Sequence, residues 1–263
     1  VISPLSTADE GTTSDEPPPE VESSEQIRSY PGTDNEVSSG YVQLKLDWIN
    51  DGFPGRVDAL QITQSRSAAK SCSNAHQEGD SVTVNQGSES TQATVEKLGS
   101  GIAILVEVGV SIPLTTLNDI ATTWDNTIEP TVTNYFGSIP DIDDTCTVEL
   151  LILSIDGGGG IGGYFNPGLS SAREIIFMDS DDLSWRNTII SHEFAHLLHS
   201  ARDPGEYLWI DEGAADMASY LTFGLTNTLT GHANSWTESS NLSVRWWNQR
   251  IGDYGAGFLM MLY

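Results

Sequence analysis

Three of the five histidines in this sequence lie in one short apolar segment, IISHEFAHLLHS, residues 189–200. His192 and His196 are four positions apart, so on a helix they lie one turn apart on the same face and can bind one ion together. Glu193 completes the pattern HExxH, in which a glutamate stands beside two zinc-binding histidines as a general base. The alternative is a solvent-facing helix that carries two histidines, and the motif alone leaves both readings open.

A second segment, WIDEGAAD at residues 209–216, supplies what a two-histidine zinc site still needs. Glu212 can be the third protein ligand, which leaves the fourth position open for water. Asp216 lies one helical turn further on and can accept a hydrogen bond from the far nitrogen of a ligand histidine, which fixes the tautomer of that ring. The alternative is a solvated acidic helix face, which the flanking apolar residues disfavour.

The third histidine of the segment has a different interpretation. His199 occupies the glycine position of the pattern HExxHxxGxxH, and Arg202 occupies the position of its last histidine, so the sequence does not fit that class of zinc site. We interpret His199 as a structural histidine that supports the site.

The elements that must position these residues change along the chain. Residues 1–38 are acidic, rich in Pro, Ser and Thr, and nearly devoid of large apolar side chains, which predicts a disordered acidic leader or linker, with a pro-segment as the alternative. Residues 39–100 contain short alternating stretches that predict a small β-rich segment: YVQLKLDWI, VDALQIT, SVTVN and TQATVEKL. The apolar runs IAILVEVGV and TVELLILSI predict buried strands, and EIIFMD predicts a strand at the edge of the sheet.

Helical spacing dominates the rest of the chain. The pattern predicts a helix over residues 114–128 that Pro130 interrupts, and later helices over about 184–200, 210–223, 242–250 and from about 253 onward. The last of these has no cap or stop signal, so we expect the natural chain to continue past Tyr263. The predicted fold class is α+β, with residues 101–263 forming one domain in which a small mixed sheet is followed by the histidine and glutamate helices.

HEFAHLLH followed by WIDEGAAD resembles the gluzincin metallopeptidases, in which HExxH precedes a glutamate ligand in an ExxxD context. The upstream order DIDDTCTVELLILSI, GGGGIGGYFNPG and REIIFMDSDD looks like the hyicolysin-like (M30-like) branch of secreted peptidases. This resemblance covers about residue 101 to the end. It implies a zincin-like domain in which His192, His196 and Glu212 hold one zinc ion and Glu193 is the general base for a zinc-bound water.

The segment DYGAGFLMMLY resembles the M1-like helix that carries a transition-state tyrosine in a YxxG setting. Tyr254 and Gly257 match that motif, and a phenol near zinc could donate a hydrogen bond to the oxyanion of a tetrahedral intermediate. The alternative is an ordinary interface tyrosine. His232, predicted to lie in a loop between helices, is a rival oxyanion donor. The exopeptidase signature GxMEN is absent, which favours an endopeptidase.

The glycine run GGGGIGGYF lacks the GK[ST] ending of a phosphate loop and predicts a mobile loop beside a cleft. We expect Gly163, Tyr164 and Phe177 to bind substrate, since unpaired backbone groups at a sheet edge can take an extended peptide as an added strand. The acidic groups at 141–144 and 179–182 could bind calcium, but neither matches a full calcium loop, and solvated turns are the alternative.

Composition limits the partners. The chain has 37 acidic and 11 basic residues and a formal net charge of -26, a surface that repels nucleic acids and anionic membranes. The apolar runs are too short for a membrane span. Cys72 and Cys146 can form one disulfide if the protein is exported.

Together these features predict a secreted zinc endopeptidase that acts on polypeptides. Two alternatives remain: a catalytically silent zinc-binding surface or interaction module with a gluzincin fold, and a zinc-free structural protein whose histidines are simply packed. The presence of both Glu193 and Tyr254 favours the enzyme, because a silent module would usually lack one of them.

Overall fold

A computed structural model describes residues 72–157, 160–169, 172–238, 247–248 and 250–263. All of these lie in the second of two compact units, residues 51–263. The predicted acidic leader, the first two predicted strands and most of the helix predicted at 242–250 fall outside the described residues.

The described part of the chain contains one mixed sheet of six strands. The strands are β1 (Ser81–Gln86), β2 (Glu89–Leu98), β3 (Ile102–Glu107), β4 (Val148–Leu153), β5 (Gly163–Phe165) and β6 (Ile175–Asp179). Their spatial order is β1-β2-β3-β4-β6-β5, with β3, β4 and β6 parallel and the other pairs antiparallel. The predicted α+β class with a mixed sheet is confirmed. The predicted boundary at residue 100 falls in the turn between two hydrogen-bonded strands, β2 and β3.

The prediction that EIIFMD forms the edge of the sheet is wrong. β6 is an interior strand that pairs with β4 on one side and β5 on the other, and all five of its residues are buried. A continuous apolar run of this kind needs cover on both faces, and β6 has it, since its side chains enter the cores on both faces of the sheet. The edge is instead β5, formed by the GYF that ends the predicted glycine loop.

Six α-helices lie in the described residues. They are α1 (Leu114–Thr123), α2 (Glu129–Phe136), α3 (Arg186–Ser200), α4 (Leu208–Phe223), α5 (Asn227–Glu238) and α6 (Ile251–Leu262). A π-helical turn, Trp124–Ile128, joins α1 to α2, so the predicted interruption at Pro130 does not occur. Pro130 lies in the first turn of α2, directly after the π-helical turn, and the chain stays helical through it although proline has no N–H to donate.

The sheet has a different core on each face. On one face Ile104, Ile152 and Ile176 pack against the helices, where the rings of Trp124 and Phe194 lie 4.5 Å apart. On the other face side chains from β1 to β6 pack among themselves. None of the described helices is long and apolar enough to cross a membrane. Cys72 and Cys146 form a disulfide.

Candidate metal centre

Helix α3 carries the HExxH segment and divides it between two environments. Phe194 and Leu198 are fully buried against the sheet. His192 and His196 lie on the side that faces α4, and their Nε2 atoms are 3.1 Å apart. The one-turn spacing read from the sequence therefore brings the two rings together, because residues four apart share a helix face.

Glu212, on α4, completes a group of three donor atoms. Its Oε2 lies 3.1 Å from His192 Nε2 and 3.3 Å from His196 Nε2. Ligands bound to zinc at about 2.0–2.1 Å in a tetrahedron lie about 3.3–3.4 Å from one another. The triangle of two imidazole nitrogens and one carboxylate oxygen thus fits a zinc ion with one position left open. It is one of two groups in the described residues that could hold a metal ion.

Two aspartates of α4 hold the far nitrogens of these histidines. Asp216 Oδ1 lies 3.0 Å from His192 Nδ1, and Asp211 Oδ2 lies 2.9 Å from His196 Nδ1. The first is an aligned hydrogen bond, whereas the second is a close ion-pair contact with poorer alignment. Both contacts leave the Nε2 atoms turned toward Glu212, as carboxylate partners of metal-binding histidines do.

Asp211 was not predicted from the sequence. It is adjacent to Glu212, and neighbouring residues on a helix point about 100° apart, so the spacing alone directs it away from the site. It reaches the cluster because His196 and His199 extend along the same side of α3. Its other oxygen lies 2.8 Å from Nδ1 of His199, which is 4% exposed. The structure thus places His199 behind Asp211, beside the predicted ligands.

The carboxylates control the protonation of the histidine pair. Burial lowers the pKa of His196, but the contacts with Asp211 and Glu212 outweigh it and raise the pKa to about 10. In the same way, burial raises the pKa of Glu212, but the two histidines outweigh it and lower the pKa to about 2. A metal ion must therefore displace protons from these rings, which links metal loading to pH.

The side chain of Glu193 lies on the side of α3 that faces the edge strand β5. It is 8% exposed, and burial raises its pKa against the lowering effect of His192 and His196. A Cβ added to Gly163 would lie 2.6 Å from Ile189 Cγ2 and 3.4 Å from Glu193 Cγ. Only a glycine lets β5 approach the helix this closely. The structure thus brings Gly163 to the predicted base.

The other two residues predicted to bind substrate lie elsewhere. Tyr164 and Phe177 stack on each other, with ring centroids 4.5 Å apart, on the sheet face away from α3. Phe177 is fully buried there, and the Tyr164 hydroxyl accepts a hydrogen bond from Gln86. Alternation along β5 and β6 turns both rings to the opposite face, so the structure does not bring these two side chains to the donor triangle.

Tyr254 and His232 lie together on two neighbouring helices. Their ring centroids are 5.1 Å apart, and His232 Nδ1 is 2.7 Å from Asp216 Oδ2. His232 belongs to α5 rather than to the predicted loop. Burial raises the pKa of Tyr254, and the charges of Glu212 and Glu193 raise it further, so its phenol stays protonated and lies within the electrostatic reach of the cluster.

Glycines set the approach of the tyrosine helix. A Cβ on Gly257 would lie 2.7 Å from the carbonyl oxygen of Trp209 and 3.1 Å from the Cα of Gly213, and a Cβ on Gly255 would collide with the carbonyl of His232. Helix α6 therefore packs on α4 and α5 with backbone against backbone. The glycines of DYGAGF and the glycine after Glu212 therefore allow this close contact between helices, which the sequence pattern alone did not reveal.

No protein-family model matches the chain. The chain is 27% identical to the neutral metalloprotease ShpI of Staphylococcus hyicus over 55% of its own length and 41% of that protein. The chain therefore spans about two fifths of the length of this relative. The similarity supports a distant metalloprotease relationship, in agreement with a donor set that fits a metal ion.

Proposed function

We propose that this chain is a zinc-dependent endopeptidase of the gluzincin type, with a zincin-like catalytic domain. The observation that carries the proposal is the triangle of His192 Nε2, His196 Nε2 and Glu212 Oε2, with sides of 3.1 to 3.3 Å. These three residues would hold the ion. Bound there, zinc would polarise a carbonyl oxygen and lower the pKa of water to about 7.

Glu193 is the proposed general base. Its carboxylate is buried beside the donor triangle, and burial raises its pKa, which favours its acceptance of a proton. In the proposed reaction it accepts a proton from the water that attacks the scissile carbonyl. It then gives this proton to the departing amine, so the peptide bond breaks and the base is regenerated.

Tyr254 is the proposed donor to the oxyanion. A phenol that stays protonated under the influence of nearby carboxylates can donate a hydrogen bond where negative charge develops in the transition state. Asp216 holds His232 at the ring of Tyr254, which supports a role for His232 in orienting this tyrosine or in donating alongside it.

The edge strand β5 is the proposed substrate platform. Among the described strands only β6 pairs with it, so its other side can pair with an extended peptide as an added strand. Gly163 would then bring the peptide backbone to Glu193 without a side chain between them. We also propose that the protein is secreted, since the Cys72–Cys146 disulfide suits an oxidising compartment.

The test combines metal content with cleavage. Protein purified without added metal should contain about one zinc per chain and should cleave casein until 1,10-phenanthroline is added. Glu193→Gln should keep the zinc and lose at least about 100-fold in cleavage rate. Glu96→Gln is the matched control, because Glu96 is exposed on β2, and it should behave as the parent does.

Other outcomes separate the alternatives. Zinc without cleavage in the parent protein would favour a silent zinc-binding module. The absence of zinc, with no change in stability on chelation, would favour a structural protein with packed histidines. Cleavage by Glu193→Gln at the parent rate would show that the base is assigned wrongly. Cleavage of a peptide blocked at both its amino and its carboxyl terminus would distinguish an endopeptidase from an exopeptidase.

A further inference from the structure

A second group of donors lies at the start of two neighbouring parallel strands. Asp141 and Asp143 belong to the segment that leads into β4, and Glu174 immediately precedes β6. A carboxylate oxygen from each of the three lies within 4.8 Å of the others. Because β4 and β6 are parallel neighbours, their first residues lie side by side and bring these carboxylates together.

Glu174 is the member of this group that calls for a cation. It is 2% exposed, and its Oε1 accepts a hydrogen bond of 2.9 Å from the backbone N–H of Ile142. Its Oε2 is buried and has no hydrogen-bond partner among the residues that the structure describes. A buried carboxylate oxygen without a partner is costly, and two further carboxylates beside it add repulsion.

We propose that Asp141, Asp143 and Glu174 form a calcium site. All three donors are carboxylate oxygens, which suit hard cations such as calcium rather than zinc. In a calcium shell with bonds of about 2.3–2.6 Å, opposite oxygens are about 4.6–5.2 Å apart. The separation of at most 4.8 Å between the donor atoms fits inside that shell. Backbone carbonyls and water would complete the coordination.

The site is separate from the proposed zinc centre. Gly163, which contacts Glu193, pairs with Met178 near the end of β6, whereas Glu174 precedes the first residue of that strand. The two sites are therefore about 13 Å apart along β6, counted from Glu174 to Met178 at about 3.3 Å per residue. Calcium would act there on the stability of the fold, without touching the groups proposed for cleavage.

The segment that holds the two aspartates explains what the ion would stabilise. Asp141 Oδ1 accepts a hydrogen bond from the N–H of Cys146, one partner of the disulfide. The backbone oxygen of Asp143 accepts a hydrogen bond from the side chain of Asn74. An ion bound by these aspartates and Glu174 would therefore fasten the disulfide-bearing segment, and the residues after Cys72, to the beginning of β6.

Calcium titration of the zinc-loaded protein tests the proposal, with calorimetry for binding and thermal unfolding for stability. We expect one saturable site per chain and a rise in Tm of about 5 °C or more once calcium exceeds its Kd about 100-fold. Magnesium at the same ionic strength should give a smaller rise. Glu174→Gln, which keeps the acceptor for Ile142, should lose at least about tenfold in calcium affinity and lose the rise in Tm.

The calcium-free state provides a second readout. There, Glu174→Gln should be at least as stable as the parent, because the substitution removes a buried charge from beside two others. Glu96→Gln is the matched control, since Glu96 is exposed on β2 and lies outside the group, and it should respond to calcium as the parent does.

Three results would overturn the proposal: no saturable calcium binding, parental binding by Glu174→Gln, or an equal loss in the Glu96→Gln control. If Glu174→Gln does not fold, Asp143→Asn decides the question by the same criteria. Zinc content and casein cleavage, measured on the same samples, keep this result independent of the proposed peptidase function.

Discussion

Among the residues that support the three proposed ligands, Asp216 is the one whose loss should weaken the proposed metal centre most. One of its oxygens accepts a hydrogen bond from His192 and the other lies 2.7 Å from His232 Nδ1. The substitution Asp216→Asn keeps the size of the side chain but removes its charge. If the Oδ1 of the asparagine faces His192, its NH₂ group faces His232. The Nδ1 of His232 must then accept a hydrogen bond, and the proton of that ring must be on Nε2.

The expected magnitude follows from the burial of the carboxylate. Changing the hydrogen-bond partner of a metal-binding histidine typically costs 10- to 100-fold in metal affinity, which corresponds to about 1.4–2.7 kcal/mol. The side chain of Asp216 is 2% exposed, so little solvent screens its interaction, and we expect the upper end of that range. The side chain of Asp211 is 28% exposed, so Asp211→Asn should fall at the lower end.

The assay is competition for zinc against a coloured chelator of known affinity, at one pH, for the parent and both variants. Asp181→Asn is the control because it makes the same change of charge at an exposed position. The reasoning is refuted if Asp216→Asn binds zinc within twofold of the parent, or if the surface control weakens zinc as much as Asp216→Asn does.

Two further predictions concern the scaffold and its pH dependence. Gly257→Ala should cost about 1–3 kcal/mol in the free energy of unfolding, since its Cβ would lie 2.7 Å from a backbone oxygen of α4. The control is Gly231→Ala, whose Cβ would have nothing within 4 Å and which should be neutral or slightly stabilising. Equal losses for the two variants in urea unfolding would contradict the packing argument. The second prediction concerns the buried pair of His76 and Glu149. The hydrogen bond with Glu149 raises the pKa of His76 above 6.5. Burial raises the pKa of Glu149, but the hydrogen bonds from His76 and Arg173 outweigh burial and bring that pKa below 4.5. The pair should therefore stabilise the fold fully between about pH 4.5 and 6.5 and lose this contribution as the pH rises through the folded pKa of His76 or falls through that of Glu149. His76→Gln should flatten the alkaline decline in a series of urea midpoints, and an unchanged decline would count against the assignment.

The sequence predicted the donor triangle because helical periodicity is a strong local rule. The spacing of His192 and His196 needs only one turn of helix to bring them together, and the helical stretch around Glu212 had to pack nearby to bury its apolar side. Asp211 was missed because its contact depends on how α3 and α4 cross, which is a tertiary property. The same holds for the backbone contact between Gly213 and Gly257, since a glycine in a sequence does not reveal what approaches it.

The edge of the sheet was predicted less well, for two physical reasons. The run IIFM is apolar at every position, which indicates cover on both faces of the sheet but does not say which strands lie on either side of it. The strand Gly163–Phe165 is only three residues long and follows a run of glycines, so it has no periodicity to detect. This strand forms because β6 has a side on which it can pair and because Gly163 carries no side chain to collide with α3.

The donor triangle and its aspartate partners all come from residues 192–216, and the strands of the sheet all precede them in the chain. During synthesis the described strands therefore leave the ribosome before the first proposed metal donor, and Tyr254 leaves after both. Helices α3 and α4, joined by a short connection, can close on an ion with little loss of chain entropy. The order of translation is thus scaffold strands, then proposed metal donors, then phenol, so the donors and the strands they rest on are made before the residue proposed to stabilise the oxyanion.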